Sequence, residues 1–296
     1  MTRKSIEAAI AHAVALAKEA NPAILPADIA FLVGERLGLT PSQLRLHGRE
    51  LLLPAQMQQL NADVAALING QSPQYILGYA WFLGEQIKVN EHVLIPRFET
   101  EELVAWVAAD LKLRQVTKHV DVLDLGTGSG AILVGLSTLL NEAVVKHALK
   151  LRLSASDISG DALAVARKNF KQHNLAVQTI SADVLQGLGK FDVIVSNPPY
   201  IMDEEAAVMD ASVLLNEPHL ALFAGVDGLD FYRRFTAQVD AHLSENGCFY
   251  LEFGYRQKQL LADLLTAELP NYTFEFRQDM EGHDRMVRGI KHETKD

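Results

Sequence analysis

Apolar residues in the first 76 positions recur at helical spacing, and no strand pattern is found among them. One helix is predicted from Ser5 to Ala20, with an apolar stripe formed by Ile6, Ile10, Val14 and Leu16. Further helices are predicted at residues 27–37 and 54–68, because NPAILP, TPSQL and NGQSP supply turn signals around them. The pattern therefore predicts a small all-helical N-terminal domain over residues 1–76.

The period of the pattern changes at YAWFLGEQIKVNEHVLIP. Aromatic and β-branched residues there flank Gly84 and the polar turn Asn90–Glu91, which is typical of a β-hairpin. We expect this hairpin, over residues 77–97, to link two domains.

After Pro96, strand-like and helical segments alternate along the chain. The strand-like segments are HVDVLDLG, LRLSASDI, VQTISAD and FDVIVSN, and helical patterns such as residues 161–173 lie between them. Such alternation predicts an α/β domain with a mainly parallel sheet, which helices at 229–243 and 255–269 continue. Three later strands, GCFYLEFG, YTFEFRQDM and DRMVRGI, end the predicted domain at 98–296, the last two in a hairpin that gives an antiparallel C-terminal strand.

Composition narrows the class of protein. The chain has 296 residues, 49% of them hydrophobic and 22% charged, so it can bury a full core. The net charge is −10, and residues 1–84 are neutral, so the imbalance lies entirely in the remainder. A protein that grips nucleic acid is expected to show a basic footprint, so no direct nucleic-acid binding is expected.

Cysteine and histidine usage gives no sign of a metal or a disulfide. Cys248 is the single cysteine, and no Cys/His group has metal-ligand spacing, so no metal site is expected. Charged residues interrupt the N-terminal segment, which fits a folded helix better than a targeting signal. No apolar run approaches the ~18 residues of a membrane span, and we expect a cytoplasmic protein without membrane association.

A glycine-rich loop follows the first strand of the α/β domain, in DVLDLGTGSGAI. Glycine at 126, 128 and 130 lets backbone amides approach a ligand, and the next helix presents unpaired N–H groups at its start. The loop predicts a nucleotide-like ligand, although its spacing also fits a dinucleotide fingerprint. Asp157 and Asp183 close the next two strands, where they could accept from a ribose and from an exocyclic amine. Either acid alone could instead cap a helix.

The tetrapeptide Asn-Pro-Pro-Tyr, residues 197–200, follows the fourth strand at the same sheet edge. Proline fixes its own φ and restricts the preceding residue, so the Asn197 side chain and the Pro198 carbonyl become two rigid acceptors. Two acceptors suit a planar NH2 group, and Tyr200 offers a flat face beside it. The motif therefore predicts a clamp for an NH2 nucleophile; the alternative is a loop in which Asn caps a turn and Pro-Pro stops the strand.

These motifs resemble a known family. DLGTGSG, SASDIS, SAD and SNPPYI are similar to the motif series of S-adenosylmethionine-dependent methyltransferases that act on amide or exocyclic amine nitrogens. The segment LGYAWFLGEQIKVNEHVLIPRFETEELV resembles that of release factor glutamine methyltransferases, and the resemblance extends from Gln74 to Gly289. The sequence departs from the family at Phe98, where a second proline is usual, and in a longer first crossover at 141–153.

The resemblance implies a class I methyltransferase fold, Rossmann-like, with S-adenosylmethionine as cofactor and S-adenosylhomocysteine as product. It implies methylation at N5 of the glutamine in the Gly-Gly-Gln motif of class I peptide chain release factors, with the helical domain docking that partner. The implied cofactor-binding residues are Gly126, Thr127, Gly128, Ser129 and Gly130 for the methionine part, Asp157 for ribose, Asp183 and Val184 for adenine, and Asn197. Asn197, Pro198, Pro199 and Tyr200 are implied to bind the substrate, and Asn197, Pro198 and Tyr200 to be catalytic. Arg97, Glu99 and Thr100 are expected either to shape the rim of the pocket or to be structural.

Four other functions would also use parts of this motif series. A glutamine methyltransferase that acts on a ribosomal protein would share almost all of these motifs. A DNA adenine-N6 methyltransferase would need base flipping and a basic surface for the duplex. A dehydrogenase would use the glycine loop and Asp157 but would leave Asn-Pro-Pro-Tyr unexplained, and a non-catalytic cofactor-binding adaptor would have no need of an intact clamp.

Overall fold

A computed structural model describes residues 4–113, 119–145, 149–209 and 211–292, and the chain divides into two units. One unit comprises Met1–Gly78 with Asp210–Asn216, and the other comprises Tyr79–Met209 with Glu217–Asp296. Residues 146–148, within the predicted long crossover, lie outside the described residues.

The first unit is helical, as predicted. Its helices are α1 (Ile6–Ala20), α2 (Pro26–Leu37), α3 (Pro41–Leu46), α4 (Pro54–Ile68) and α5 (Pro73–Leu77). Ser5 caps α1 with its side chain, and prolines begin the other four helices, where a missing N–H costs nothing. These local signals explain why the predicted boundaries agree so closely with the structure.

The buried face of α1 differs from the predicted stripe. Ala9, Ala13 and Ala17 are buried together with Ile6, whereas Leu16 is 45% exposed, so the assignment of Leu16 to the inner face was wrong. Ile10 and Val14 are only partly buried against the same core. Helix α1 packs against α4, and its buried alanines belong to the same core, where small side chains let helix backbones approach closely.

A β-hairpin opens the second unit, which confirms the predicted hairpin. Strands β1 (Tyr79–Phe82) and β2 (Glu85–Lys88) pair antiparallel around Leu83 and Gly84, which both have positive φ. That geometry matches the right-handed twist of a two-residue hairpin turn. The Asn90–Glu91 segment forms a separate turn after β2, in which the Val93 N–H donates to the Asn90 carbonyl.

Seven strands form the main sheet of the second unit, in the order β5-β4-β3-β6-β7-β9-β8. They are β3 (Val120–Leu125), β4 (Leu151–Asp157), β5 (Val177–Ser181), β6 (Phe191–Ser196), β7 (Leu243–Glu252), β8 (Tyr272–Gln278) and β9 (Asp284–Lys291). Strands β3 to β7 pair in parallel with one another, and β9 runs antiparallel to both β7 and β8. The predicted mainly parallel sheet with an antiparallel C-terminal strand is therefore confirmed.

Helices cover both faces of this sheet. They are α6 (Phe98–Leu113), α7 (Ala131–Val145), α8 (Gly160–Gln172), α10 (Asp230–His242) and α11 (Lys258–Glu268), while α9 (Ala211–Asn216) belongs to the helical unit. Phe98, the departure from the family pattern, is the first residue of α6 and is 59% exposed. Short 3-10 turns occupy Asp203–Val208 and His219–Ala221.

Each face of the sheet has its own hydrophobic core. Successive strand residues alternate between the two cores, so Val122 packs with α6 and α7, whereas Leu123 packs with α10 and α11. Burial on both faces explains why the strands read as nearly continuous hydrophobic runs in the sequence. Within the described ranges, no helix is both long and apolar enough to cross a membrane.

The direction of strand order reverses between β3 and β6. From β3 the chain proceeds outward through β4 and β5, and then returns to the other side of β3 as β6. Open α/β sheets bind ligands at such a reversal, outside the carboxyl ends of the strands. This edge carries the glycine loop, Asp157, Asp183 and Asn197.

Candidate active site

A cavity of about 230 Å³ opens at the carboxyl ends of β3, β4, β5 and β6. Most of the residues that the sequence nominates line it: Gly126, Thr127, Gly128, Ser129, Asp157, Asp183, Val184, Asn197, Pro198 and Pro199. Gly130 and Tyr200 lie outside its lining. Four separate chain segments therefore meet around one space.

Glycine is required at the three positions of the loop for different structural reasons. Gly126 and Gly128 have φ values of 69° and 54°, and a Cβ at either position would meet nothing closer than 4.0 Å. Glycine is needed there for backbone conformation. Gly130 also has positive φ, but a Cβ on it would lie 2.6 Å from the ring of Phe170 on α8. The third glycine therefore permits close packing of the start of α7 against α8.

Thr127 ties the glycine loop to the two strands beneath it. Its N–H donates to the Ser156 carbonyl at 2.8 Å, and its hydroxyl donates to Asp124 Oδ2 at 2.6 Å. Asp124 is fully buried, and burial raises the pKa of its carboxyl to about 7. No role for Asp124 was predicted, because an acid inside a hydrophobic strand shows no partner in the sequence.

Asp157 joins the end of β4 to the same loop. Its Oδ2 accepts from the Gly128 N–H at 2.9 Å, and its Oδ1 accepts from the Ser159 N–H at 2.8 Å. Burial raises the pKa of Asp157 above its ordinary value, although these backbone donors oppose that effect. Ser159, not Asp157, caps α8. The carboxylate therefore faces the cavity and organises the loop rather than the helix.

Asp183 and Val184 lie just beyond β5. Asp183 forms an ion pair with Arg234 of α10, which also lines the cavity. Val184 is buried and has φ of 53°, a conformation that a β-branched residue rarely adopts. Arg234 was not predicted, because its partner is 51 positions away and on another element.

Asn197 follows β6 and is anchored by a neighbour from α6. Its Nδ2 donates to Thr100 Oγ1 at 2.9 Å, and the side chain lines the cavity. Because the nitrogen end of the amide is bound to Thr100, Oδ1 is the end that can accept from a substrate. Just before it, Ser196 Oγ donates to the Leu125 carbonyl at 2.6 Å, which fixes the end of β6 against β3.

A buried acid at the end of β7 completes this arrangement. Glu252 is 0% exposed, and its Oε2 accepts from the Thr100 hydroxyl at 2.7 Å. Its Oε1 accepts from the Tyr200 hydroxyl at 3.1 Å. Burial raises the pKa of Glu252 to about 7. Glu252 was not predicted either, because it stands in a hydrophobic strand 152 positions from Thr100.

Tyr200 is half-buried and packs against the core beneath α10 and α11. Its carbonyl accepts from Gln257 Nε2 at 2.7 Å, and a Cβ on Gly228 would lie 2.4 Å from the same carbonyl oxygen. Burial raises the pKa of Tyr200 above its ordinary value, so the phenol stays protonated and donates to Glu252. The end of the Asn-Pro-Pro-Tyr motif is thus held through both its backbone and its side chain.

Arg97 holds a further part of the cavity wall. Its Nη2 lies 2.7 Å from Oε1 of Glu217, whose side chain is 3% exposed. Burial raises the pKa of Glu217, and the Arg97 charge opposes that rise. The adjacent Pro218 lines the cavity, so the ion pair anchors a lining segment.

Together these features define a class of protein. A parallel sheet with a glycine loop after β3, acids after β4 and β5, and Asn-Pro-Pro after β6 around one cavity is the arrangement of a class I methyltransferase. A family model described as the methyltransferase small domain matches residues 107–226, and one described as the PrmC N-terminal domain matches residues 8–78.

Relatives narrow the class to a family. The chain is 40% identical to the release factor glutamine methyltransferase of Streptococcus pneumoniae, over 78% of this chain and 79% of that protein. It is 37% identical to the enzyme of the same name from Enterococcus faecalis, over 88% of this chain and 90% of the relative. The chain therefore belongs to the release factor glutamine methyltransferase family.

A solved structure agrees on the fold. The hMettl16 catalytic domain, determined with the MAT2A 3′UTR hairpin 6, superposes with a TM-score of 0.53. The superposition covers 83% of this chain and 86% of the hMettl16 chain, and the two sequences are 15% identical. The likeness concerns the fold alone.

Proposed function

We propose that the protein methylates the side-chain amide nitrogen, N5, of the glutamine in the Gly-Gly-Gln motif of class I peptide chain release factors. The observation that carries this proposal is the pairing of family membership with a cavity in which Asn197 and Pro198 stand beside a glycine loop. The proposed substrate acts in translation, so the proposed place of action is the cytoplasm.

The lining fits S-adenosylmethionine in its chemistry. Open backbone at Gly126 and Gly128 leaves room for the methionine part, and the Asp157 carboxylate can accept from ribose hydroxyls. Asp183 and the buried Val184 would flank the adenine. When bound, this cofactor supplies a methyl group made electrophilic by a sulfonium sulfur.

The chain must then make a poor nucleophile reactive. An amide nitrogen shares its lone pair with the carbonyl, and the rotation barrier of ~18–20 kcal/mol indicates how strongly. Asn197 Oδ1 and the Pro198 carbonyl would accept from the two hydrogens of the glutamine amide. Two acceptors fixed in place favour the positive charge that develops on the nitrogen during attack.

Rigid placement of the reacting groups supplies much of the remaining decrease in the activation barrier. Pro198 and Pro199 fix the backbone beside the amide, and Tyr200, just outside the cavity lining, follows them with its hydroxyl held by Glu252. Holding reactants in line is worth ~7–11 kcal/mol of a barrier. No general base is required, because the methylated nitrogen is acidic and loses its proton to water.

We assign docking of the release factor to the helical unit, α1 to α5. Its sequence is neutral over residues 1–84, whereas the rest of the chain carries the full net charge of −10. The family model described as the PrmC N-terminal domain covers 8–78, so this unit is a recurring part of the family rather than an addition.

Mass spectrometry tests the proposal. A class I release factor is incubated with the protein and isotopically labelled S-adenosylmethionine, beside the same factor with Ala in place of the Gly-Gly-Gln glutamine. The expected result is one labelled methyl group on that glutamine and none on the altered factor. A ribosomal protein is tested in parallel, and methylation of that protein alone, or of neither protein, would overturn the proposal.

A further inference from the structure

We propose that Glu252 fixes the orientation of the Asn197 amide through Thr100, and so acts as a positioning residue for methyl transfer. This inference rests on the proposed function. The Glu252 carboxylate is wholly buried at the end of β7, the strand beside β6. Burying a carboxylate is costly unless it is hydrogen-bonded, so its partners point to a reason for its presence.

The Thr100 hydroxyl has a single hydrogen to donate. A hydroxyl donates once and accepts through its lone pairs, and an ionised carboxylate can only accept. Thr100 lies 2.7 Å from Glu252 Oε2, so its hydrogen is directed to Glu252. Toward Asn197, at 2.9 Å, Thr100 is therefore left to accept.

The Asn197 amide has two ends that are nearly equal in shape but opposite in hydrogen bonding. Because Thr100 accepts, it must face the Nδ2 end, and Oδ1 is turned to the remaining side. Only this orientation supplies an acceptor for a substrate NH2 group. A flipped amide would present a donor to another donor.

Glu252 makes two further contacts, one through its other carboxylate oxygen and one through its backbone carbonyl. Tyr200 donates to Oε1, so one oxygen of the carboxylate holds Thr100, the partner of Asn197, and the other holds the last residue of the Asn-Pro-Pro-Tyr motif. Tyr232 donates to the backbone carbonyl of Glu252 at 2.7 Å, which fixes the end of β7 independently of the side chain. The side-chain role and the backbone role can therefore be separated by mutation.

Kinetics of four variants test this relay. E252Q leaves one acceptor oxygen for two hydroxyl donors, Thr100 and Tyr200, and T100V removes the hydroxyl of Thr100. Each variant is expected to lower kcat about 10- to 100-fold, with cofactor Kd and substrate KM near wild type. T100S keeps the hydroxyl and is expected to retain most of the wild-type kcat. Y232F, which loses a bond to the same residue's backbone, is the matched control and is expected to keep kcat.

A double mutant separates a relay from two independent effects. If Glu252 acts through Thr100, T100V/E252Q loses no more kcat than T100V alone. A loss equal to the product of the two single losses would overturn the proposal. So would a loss in Y232F as large as that in E252Q, because it would assign the effect to general support of β7.

A spectroscopic measurement keeps this test independent of the substrate. The side-chain amide ¹⁵N–¹H resonances of Asn197 are assigned by their loss in N197A. Both T100V and E252Q are expected to shift them, whereas T100S and Y232F leave them close to wild type. Unchanged resonances in T100V and E252Q would overturn the relay, and absence of wild-type methyl transfer would count against the proposed function alone.

Discussion

The N–H of Gly128 donates a 2.9 Å hydrogen bond to Oδ2 of Asp157, and so joins the glycine loop to the end of β4. The two residues stand 29 positions apart. The bond places the proposed ribose acceptor directly against the proposed methionine site. One carboxylate thereby shapes the loop and presents its charge to the cavity.

Asp157→Ala is expected to weaken binding of S-adenosylmethionine about 10- to 100-fold, because hydrogen bonds to a charged group are worth about 1.5–3 kcal/mol each. Isothermal titration calorimetry measures the change. Asp161→Ala, which removes an exposed acid in the first turn of α8, is the matched control and should bind normally. Equal affinities of the wild type and Asp157→Ala would contradict the assignment.

Asn197→Ala is expected to lose turnover by about 10²- to 10³-fold, the usual effect of removing one group that stabilises developing charge. Cofactor affinity should remain near wild type, because the glycine loop and Asp157 are untouched. A methyl-transfer assay and calorimetry on the same preparation measure both quantities. Turnover near the wild-type value would count against the clamp.

Gly130→Ala is expected to lower the free energy of unfolding by about 1–3 kcal/mol, the usual cost of overpacking. A Cβ there would lie 2.6 Å from the ring of Phe170, and φ of 82° adds strain. Gly160→Ala at the start of α8 is the control, since its Cβ would meet nothing within 4 Å. Urea denaturation compares the two variants, and equal stabilities would refute the packing role.

Arg97→Ala is expected to destabilise the protein by about 1–3 kcal/mol, because it leaves the buried Glu217 carboxylate without its charged partner. Arg152→Ala is the matched control. Its ion pair with Asp121 is exposed on the arginine side, so its loss should have no measurable effect. Similar midpoints for the two variants in chemical denaturation would contradict the anchoring role of Arg97.

The pH profile of kcat tests the charge state of Glu252. Burial raises its pKa to about 7, while Thr100, Arg285 and Tyr200 lower it and Glu99 raises it. The hydrogen bonds from Glu252 through Thr100 to Asn197 need the ionised form of Glu252. As pH decreases below 7, kcat at saturating cofactor should therefore decrease, with a slope that approaches about tenfold per pH unit. E252Q should lack this step, which separates Glu252 from Asp124, whose pKa is also about 7.

Stability should follow the opposite trend for the same group. The pKa of Glu252 is about 7 in the folded protein and about 4.5, its ordinary value, in the unfolded chain. The folded protein therefore holds this proton more tightly, and the free energy of unfolding decreases as pH rises from about 4.5 to 7. Comparing wild type with E252Q in urea at both ends of that range measures this contribution. A stability difference independent of pH would contradict the raised pKa.

Local patterns predicted most of the fold, for identifiable reasons. Prolines and a serine cap mark the helix starts of the first unit, and hydrophobic runs bounded by glycine or acids mark the strands. Because parallel strands present their carboxyl ends at one edge, residues 126–130, Asp157, Asp183 and Asn197 could be grouped from their positions after the strands alone. The cavity lining brings nearly all of these positions together, with Gly130 just outside it.

The features that the sequence could not indicate depend on distant contacts. Glu252 contacts Thr100, and Arg234 forms an ion pair with Asp183; in each pair the partner lies on another element. The inner face of α1 depends on alanines that pack closely, whereas hydrophobicity alone favoured Leu16. Helix α9 groups with the helical unit through contacts such as Asn216 Nδ2 to the Gly70 carbonyl, 146 positions away.

The most direct test of the clamp is a structure of the protein with S-adenosylhomocysteine and a Gly-Gly-Gln peptide. The account predicts the glutamine amide nitrogen within about 3 Å of both Asn197 Oδ1 and the Pro198 carbonyl oxygen, with the nitrogen directed at the cofactor sulfur. An amide bound elsewhere in the cavity, with these two oxygens turned away from it, would contradict the account.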